Sequence, residues 1–201
     1  LALGAWAQNP GRKSIQPFEL PEPAPRVSPI DDLVFDKLVA LGRQPNYRVS
    51  DEVYARRVAF DLTGTLPTAV EMRGVLAAGS SNRRARLVDR LLASDQFASY
   101  FTMKWCDLLR VKSEFPINLW PNAVQAYHRF IYASVKTNLS FDRFARALLT
   151  TSGGNFLEPG ANFYRAVQKK EPYNIAQAVA LTFMGSRFDA WPPARQSGMA
   201  A

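Results

Sequence analysis

The single cysteine and the single histidine are the side chains with the widest chemical repertoire in this 201-residue sequence. Cys106 lies between Trp105 and Asp107, and a neighbouring carboxylate raises the pKa of a thiol and opposes its use as a nucleophile. His128 follows Tyr127, with no second histidine to share a metal ion. We therefore expect Cys106 to be a buried structural residue and His128 a surface or capping residue, and we predict neither a metal nor a bound cofactor.

Four aspartates occupy positions where a carboxylate could act as a general acid or base. They are Asp61, Asp107, Asp142 and Asp189. Asp61 precedes a turn, so we expect it to accept hydrogen bonds from that turn or to pair with Arg56 or Arg57. The other three are expected to serve as helix caps. Because no two carboxylates can be placed at acid–base distance, the sequence predicts no catalytic residue.

The first 27 residues differ in composition from the rest of the chain. Residues 1–7 form an apolar stub, which is typical of the end of a secretory signal or of the end of a membrane anchor. Both interpretations place the chain outside the cytoplasm, in a periplasmic or similar compartment. Residues 8–27 contain five prolines, which exclude a helix and predict an extended, polyproline-like arm.

Positive charge is the main electrostatic feature of the sequence. Twenty-five Lys and Arg residues oppose 17 Asp and Glu residues, for a formal net charge of +8, which favours acidic partners. The densest basic run, residues 83–90, is interleaved with leucines and predicts an amphipathic helix whose charged face is either solvated or a docking patch. Because the other arginines are scattered and export is expected, we predict no nucleic-acid binding.

Apolar residues recur at helical spacing from Ser28 onward, and no stretch alternates with the period of a strand. The prediction is an all-α fold, an irregular bundle of about seven or eight helices behind the Pro-rich arm. Three regions are expected: the stub and arm at 1–27, a helical domain at 28–188 and a Pro-containing tail at 189–201. The predicted helices span residues 28–42, 50–64, 67–79, 82–93, 97–110, 122–138, 140–149 and 172–184, with loops at 111–121 and 151–162.

Large apolar side chains outside the helical pattern are the candidate partner-binding residues. Trp120 lies between loop prolines, whereas Trp6 and Trp191 lie near the two ends. An indole ring at such places suits a protein partner or a membrane interface. Phe18 and Leu20 lie in the arm and could fill pockets of a partner. We predict that these five residues contact a partner, which is either a protein complex or a membrane surface.

Several short stretches, taken together and in order, resemble a known family. They are Ile30-Asp31-x-x-Val34, Arg57-x-x-Phe60-Asp61-Leu62-Thr63-Gly64-x-Leu66-Pro67-Thr68, Leu87-Val88-Asp89-Arg90-Leu91-Leu92-Ala93-Ser94, Trp105-x-Asp107-Leu108, Phe141-Asp142-Arg143-Phe144, Ala161-Asn162-Phe163-Tyr164-Arg165 and Phe183-Met184-Gly185-x-Arg187. This combination is similar to the planctomycete cytochrome C-associated domain of unknown function. The resemblance runs from about Ser28 to Trp191 and implies a helical, exported protein.

The resemblance also bears on haem binding. Many members of that family carry a Cys-x-x-Cys-His segment after their Gly-x-Arg, followed by Pro-Phe-Asp-x-Trp. This sequence passes directly from Gly185-Ser186-Arg187 to Phe188-Asp189-Ala190-Trp191. Covalent haem needs thiols and an iron-ligating histidine, so haem binding is not carried over to this chain.

Three functions of different classes are open from the sequence. The first is a non-catalytic exported accessory subunit that docks onto a larger, membrane-bound electron-transport complex, with a cytochrome-containing partner suggested by the resemblance. The second is a haem or redox protein, and the third is a helical module of a longer exported hydrolase. The apolar stub, the Pro-rich arm, the positive charge and the lack of a catalytic constellation favour the first, which is the function we predict.

Overall fold

The structure, a computed structural model, describes residues 15–77 and 82–200. Within these ranges the chain forms ten α-helices and no β-strand, which confirms the all-α class. The predicted number of seven or eight helices is too low, because no helix was predicted over the residues of α8 and α10. The helices are α1 Pro29–Ala40, α2 Asp51–Thr63, α3 Ala69–Ala77, α4 Arg83–Leu92, α5 Asp95–Leu108, α6 Pro121–Lys136, α7 Phe141–Leu149, α8 Asn162–Ala166, α9 Pro172–Met184 and α10 Pro193–Ala200.

Side-chain caps explain where α1 and α5 begin. Ser28 and Asp31 form a reciprocal capping box at the start of α1, with Pro29 in the first turn. In α5 the Ser94 hydroxyl accepts a hydrogen bond from the backbone N–H of Phe97 at 3.1 Å. These contacts satisfy backbone N–H groups that a helix start leaves without partners.

The described residues cluster into two compact units, one of residues 15–61, 65–77 and 82–88 and one of residues 62–64 and 89–200. The predicted boundaries at 1–27, 28–188 and 189–201 stay predictions.

In the first unit an ion-pair cluster joins the start of α4 to the start of α2. The Asp51 carboxylate contacts Arg83 at 3.3 Å and Arg84 at 2.6 Å, and the Arg84 guanidinium lies 4.5 Å from the centre of the Tyr54 ring. Part of the predicted basic face of α4 is therefore engaged inside its own unit.

The second unit contains the main apolar core. Helix α5 packs along α6, and the short 3-10 turn Pro159–Ala161 packs on α6 and α7. Tyr127, Ile131 and Leu148 are fully buried in this core. The remaining buried members of the cluster are Leu109, Leu119, Phe144, Phe163, Val167 and Ala178.

Gly64 shows why the Phe-Asp-Leu-Thr-Gly stretch ends in glycine. Its φ is +69°, in the left-handed region, and a Cβ built there would lie 2.6 Å from two carbons of the Tyr100 ring. Both the backbone conformation and the close approach of the ring therefore require a residue without a side chain.

Two segments expected to be irregular have defined structure. In the predicted loop at 151–162, the fully buried Asn162 donates its side-chain amide to the carbonyl oxygens of Asn155 and Pro159, at 2.8 and 3.0 Å. In the predicted tail, Pro193 begins α10, which packs on α9. Proline is compatible with a first helical turn, where its missing N–H would have no partner in any case.

Candidate partner interface

The side chains that could act in catalysis or bind a metal ion lie apart from one another. Cys106 is half-buried in α5 against the main core, and its burial, assisted by Asp107, raises the pKa of the thiol to about 11. His128 is exposed on α6. Within residues 15–77 and 82–200 no group of three His, Cys, Asp or Glu side chains is placed to hold a metal ion.

The four aspartates singled out from the sequence are separate surface groups. Hydrogen bonding from Ser140 lowers the pKa of Asp142 in the first turn of α7, and the Arg187 guanidinium, 2.8 Å away, lowers the pKa of Asp189. Asp107 is exposed in the last turn of α5. Asp61 is exposed near the end of α2, and its expected contact with the turn or with Arg56 or Arg57 stays a prediction.

The described part of the arm lies along its own chain. Residues 18–22 run antiparallel to residues 48–50, with backbone hydrogen bonds from Leu20 N–H to the Arg48 carbonyl at 2.7 Å and from Ser50 N–H to the Phe18 carbonyl at 2.8 Å. The Phe18 side chain is half exposed, and that of Leu20 is half-buried. The backbone of these residues is thus held in place, while a contact of their side chains with a partner stays a prediction.

Helix α1 presents an apolar face to solvent. No residue of α1 is buried, and Ile30 and Leu33 are 71% and 72% exposed. Val34 and Leu41 are exposed as well, and at 100° per residue they lie on the same side of the helix as Ile30 and Leu33. We call Ile30, Leu33, Val34 and Leu41 the α1 apolar face.

Lys37, seven residues after Ile30, lies on the same side of α1 as the apolar face and is exposed, whereas Asp32 and Asp36 lie toward the opposite side of the helix. Arg26 lies between Asp32 and Asp36, with N–O distances of 3.3 and 3.5 Å. These three charges are largely exposed, so the ion pairs are of the kind that contribute little to stability. The α1 apolar face therefore contains one exposed cation, Lys37, with apolar side chains on either side of it.

A second exposed apolar feature is the ordered loop between α5 and α6. Phe115 and Trp120 are 82% and 73% exposed. The loop is held by backbone hydrogen bonds, such as that from Leu119 N–H to the Lys112 carbonyl at 3.2 Å, and Leu119 itself is buried. Trp120 was predicted as a contact and its exposure is compatible with that prediction, whereas Phe115 was missed because it belongs to no periodic pattern.

The two terminal tryptophans have different positions. Trp6 lies outside the described residues. The Trp191 ring is half-buried and packs on Phe188 at a centroid distance of 5.4 Å, and its indole N–H donates to the Ser186 hydroxyl at 2.7 Å. The Arg195 guanidinium covers the ring at 4.0 Å. Trp191 thus has contacts within its own unit, and its use by a partner stays a prediction.

Comparison with known families identifies the class of the protein. A family model described as PSCyt2, protein of unknown function (DUF1549), matches residues 29–189. Because the match covers most of the chain, the protein belongs to this family. Neither a curated protein nor a solved structure matches the chain. None of the helices in the described ranges combines the length and the apolarity that a bilayer-spanning segment needs.

The stretches that carry the family resemblance include both buried and exposed residues. Asn162 and Phe163 are buried, and Gly64 accommodates the Tyr100 ring. Residues of this kind specify a fold. Ile30 and Val34, which belong to the first of these stretches, are exposed instead, so the exposed apolar surfaces are the candidates for function.

Proposed function

We propose that this protein is a non-catalytic, exported accessory subunit that docks onto a larger assembly. The observation that carries the proposal is the α1 apolar face, which is formed by a capped helix and is exposed along its length. The apolar stub at residues 1–7 supports export, and the family resemblance supports a cytochrome-containing, membrane-associated electron-transport complex as the partner.

The free-energy argument favours a protein contact for the α1 apolar face. Burying a leucine or isoleucine side chain contributes about 1.5–3 kcal/mol. Leu33 retains most of its accessible surface in the structure, so that contribution is available to a partner. A contact that covers Leu33 together with Ile30 would include two adjacent aliphatic anchors at its centre, which is where interface energy concentrates.

Val39 provides a matched control on the same helix. It lies nine residues after Ile30, which places it about 180° around the helix axis, and it is 50% exposed. A polar substitution at Val39 therefore makes a comparable change in surface polarity without touching the α1 apolar face.

Site-specific photocrosslinking in the cells that produce the protein tests the proposal. A benzophenone amino acid at position 33 should form a covalent adduct with a component of a larger exported assembly, and the same group at position 39 should not. The Leu33→Ser variant should copurify with that component roughly tenfold less well, for a loss of about 1.4 kcal/mol, while Val39→Ser should behave as the native chain.

Three outcomes would contradict the proposal. Adducts only between copies of this chain would identify a homodimer face, and the absence of any adduct at position 33 would leave the face without a partner. Recovery of the protein with cytoplasmic markers in cell fractionation would exclude export.

A further inference from the structure

The second unit contains an aromatic pocket that plays no part in the proposed docking. It lies among α5, α6 and α7 and has a volume of about 410 Å³. Small-molecule sites typically occupy about 300–1,000 Å³. Phe97, Phe101 and Trp105 form its α5 wall, since a spacing of four residues places them on one side of the helix.

The walls of the pocket are held by ring–ring contacts. Trp105 packs on Phe144 at a centroid distance of 5.0 Å in an edge-to-face arrangement, and on Phe141 at 6.2 Å. Phe144 is buried and stacks on Phe130 at 5.9 Å, with only 11° between the ring planes. Because these rings support one another, the pocket is formed before any ligand enters it, which lowers the cost of binding.

The residues that line the pocket favour an uncharged ligand. Among the described residues, no charged side chain lines the pocket, and a charged ligand would lose its hydration without a compensating partner. Aromatic faces and edges favour another planar ring through stacked or edge-to-face contacts. The pocket is therefore selective for an uncharged, ring-containing molecule.

One polar group at the rim is available to orient such a ligand. The Ser134 hydroxyl is already used in a 2.8 Å hydrogen bond to the Phe130 carbonyl. Asn138 lines the pocket and is exposed, and its side-chain amide makes no hydrogen bond within the described part of the chain. Its φ of +49° is a conformation that asparagine and glycine tolerate.

We propose that the pocket formed by Phe97, Phe101, Trp105, Phe141 and Phe144 binds a small, neutral, planar aromatic molecule, with the Asn138 amide hydrogen-bonded to its polar group. The proposal is independent of the docking function, because the pocket and the α1 apolar face lie in different units.

Fluorescence titration of the full chain with N-phenyl-1-naphthylamine tests binding. The native protein should bind the probe saturably at one site, and 2-naphthol should displace it at concentrations at least tenfold lower than charged 2-naphthoate does. Phe141→Ala should weaken probe binding about tenfold, because a rim ring is lost. Phe156→Ala is the matched control, since Phe156 is 50% exposed, close to the 53% of Phe141, and lies outside the pocket lining.

Two further measurements make the test independent of the stability of any one variant. Asn138→Gly keeps the left-handed backbone but removes the amide, and it should abolish the preference for 2-naphthol over naphthalene. In the native chain, 2-naphthol should shift the indole N–H resonance of Trp105 and leave that of Trp120 unchanged. Unsaturable binding, equal loss in Phe141→Ala and Phe156→Ala, equal displacement by naphthoate, or an unshifted Trp105 signal would each overturn the proposal.

Discussion

Removal of the Tyr127 hydroxyl should not destabilise the protein, although Tyr127 lies at the centre of the main core. The residue is fully buried, and its hydroxyl has no hydrogen-bond partner within the described residues. Burial, assisted by Cys106, raises the pKa of Tyr127, so the hydroxyl stays neutral at all ordinary pH values. Tyr127→Phe deletes this polar atom and leaves the ring in place.

The expected magnitude follows from the cost of an unsatisfied polar group. A buried donor or acceptor without a partner costs about 1–3 kcal/mol, whereas a satisfied hydrogen bond contributes about 1 kcal/mol net. Tyr127→Phe should therefore leave the free energy of unfolding unchanged or raise it by about 1 kcal/mol. In a chain of this size, 1 kcal/mol corresponds to a Tm increase of about 2–4 °C.

Tyr164 is the matched control, because its hydroxyl does have a partner. It donates to the Leu149 carbonyl at 2.8 Å, so Tyr164→Phe should lower the free energy of unfolding by about 1 kcal/mol. Urea unfolding of both variants at pH 7, followed by circular dichroism, measures the difference. A loss of 1 kcal/mol or more in Tyr127→Phe, equal to that of Tyr164→Phe, would refute the reasoning.

Three further predictions rest on separate contacts. Gly64→Ala should lower the free energy of unfolding by about 1–3 kcal/mol, because the residue has a left-handed φ and the new Cβ would meet the Tyr100 ring; an unchanged urea midpoint would contradict this. The thiol pKa of Cys106 is raised to about 11, so little of the reactive thiolate is present at pH 8. Cys106 should therefore react with iodoacetamide at pH 8 far more slowly in the folded protein than in urea, which mass spectrometry of the alkylated protein measures. Hydrogen bonds from Lys136 and Tyr132 lower the pKa of Asp95 from 3.8, so the pairing with Lys136 stabilises the fold above about pH 4 and is lost as the pH falls through the lowered pKa. NMR titration should find the Asp95 pKa raised toward its ordinary value in Lys136→Met, while the Tyr132 hydrogen bond still lowers it.

Local chemistry made the start of α1 and the end of α9 predictable. Ser28, Pro29 and Asp31 mark the start of α1 by capping and by a proline in the first turn, and these signals depend only on neighbouring residues. The same holds for the end of α9, where Gly185 adopts a left-handed conformation with φ +59°. Wherever a helix boundary depends on such nearby groups, the sequence predicted it to within a few residues.

Helix α10 could not be predicted because its stability comes from packing. Its eight residues include Ser197 and Gly198, which are poor helix formers. Pro192 precedes the helix and Pro193 is its first residue. Met199 packs against the cluster that contains Phe188. A short helix of weak propensity forms when tertiary contacts stabilise it, and those contacts join residues whose pairing the sequence pattern does not reveal.

The candidate interface was only partly predictable for a related reason. The spacing of apolar residues from Ser28 onward predicted a helix, but periodicity does not specify whether an apolar stripe faces the core of its own chain or another surface. In the structure, Phe35 and Leu38 are the partly buried large apolar residues of α1, whereas Ile30 and Leu33 face solvent. The helix thus has two apolar sides, and only one of them is used within the chain. A contact outside the chain would cover the exposed side of this capped helix, which is why the α1 apolar face, more than the arm or the terminal tryptophans, carries the proposed function.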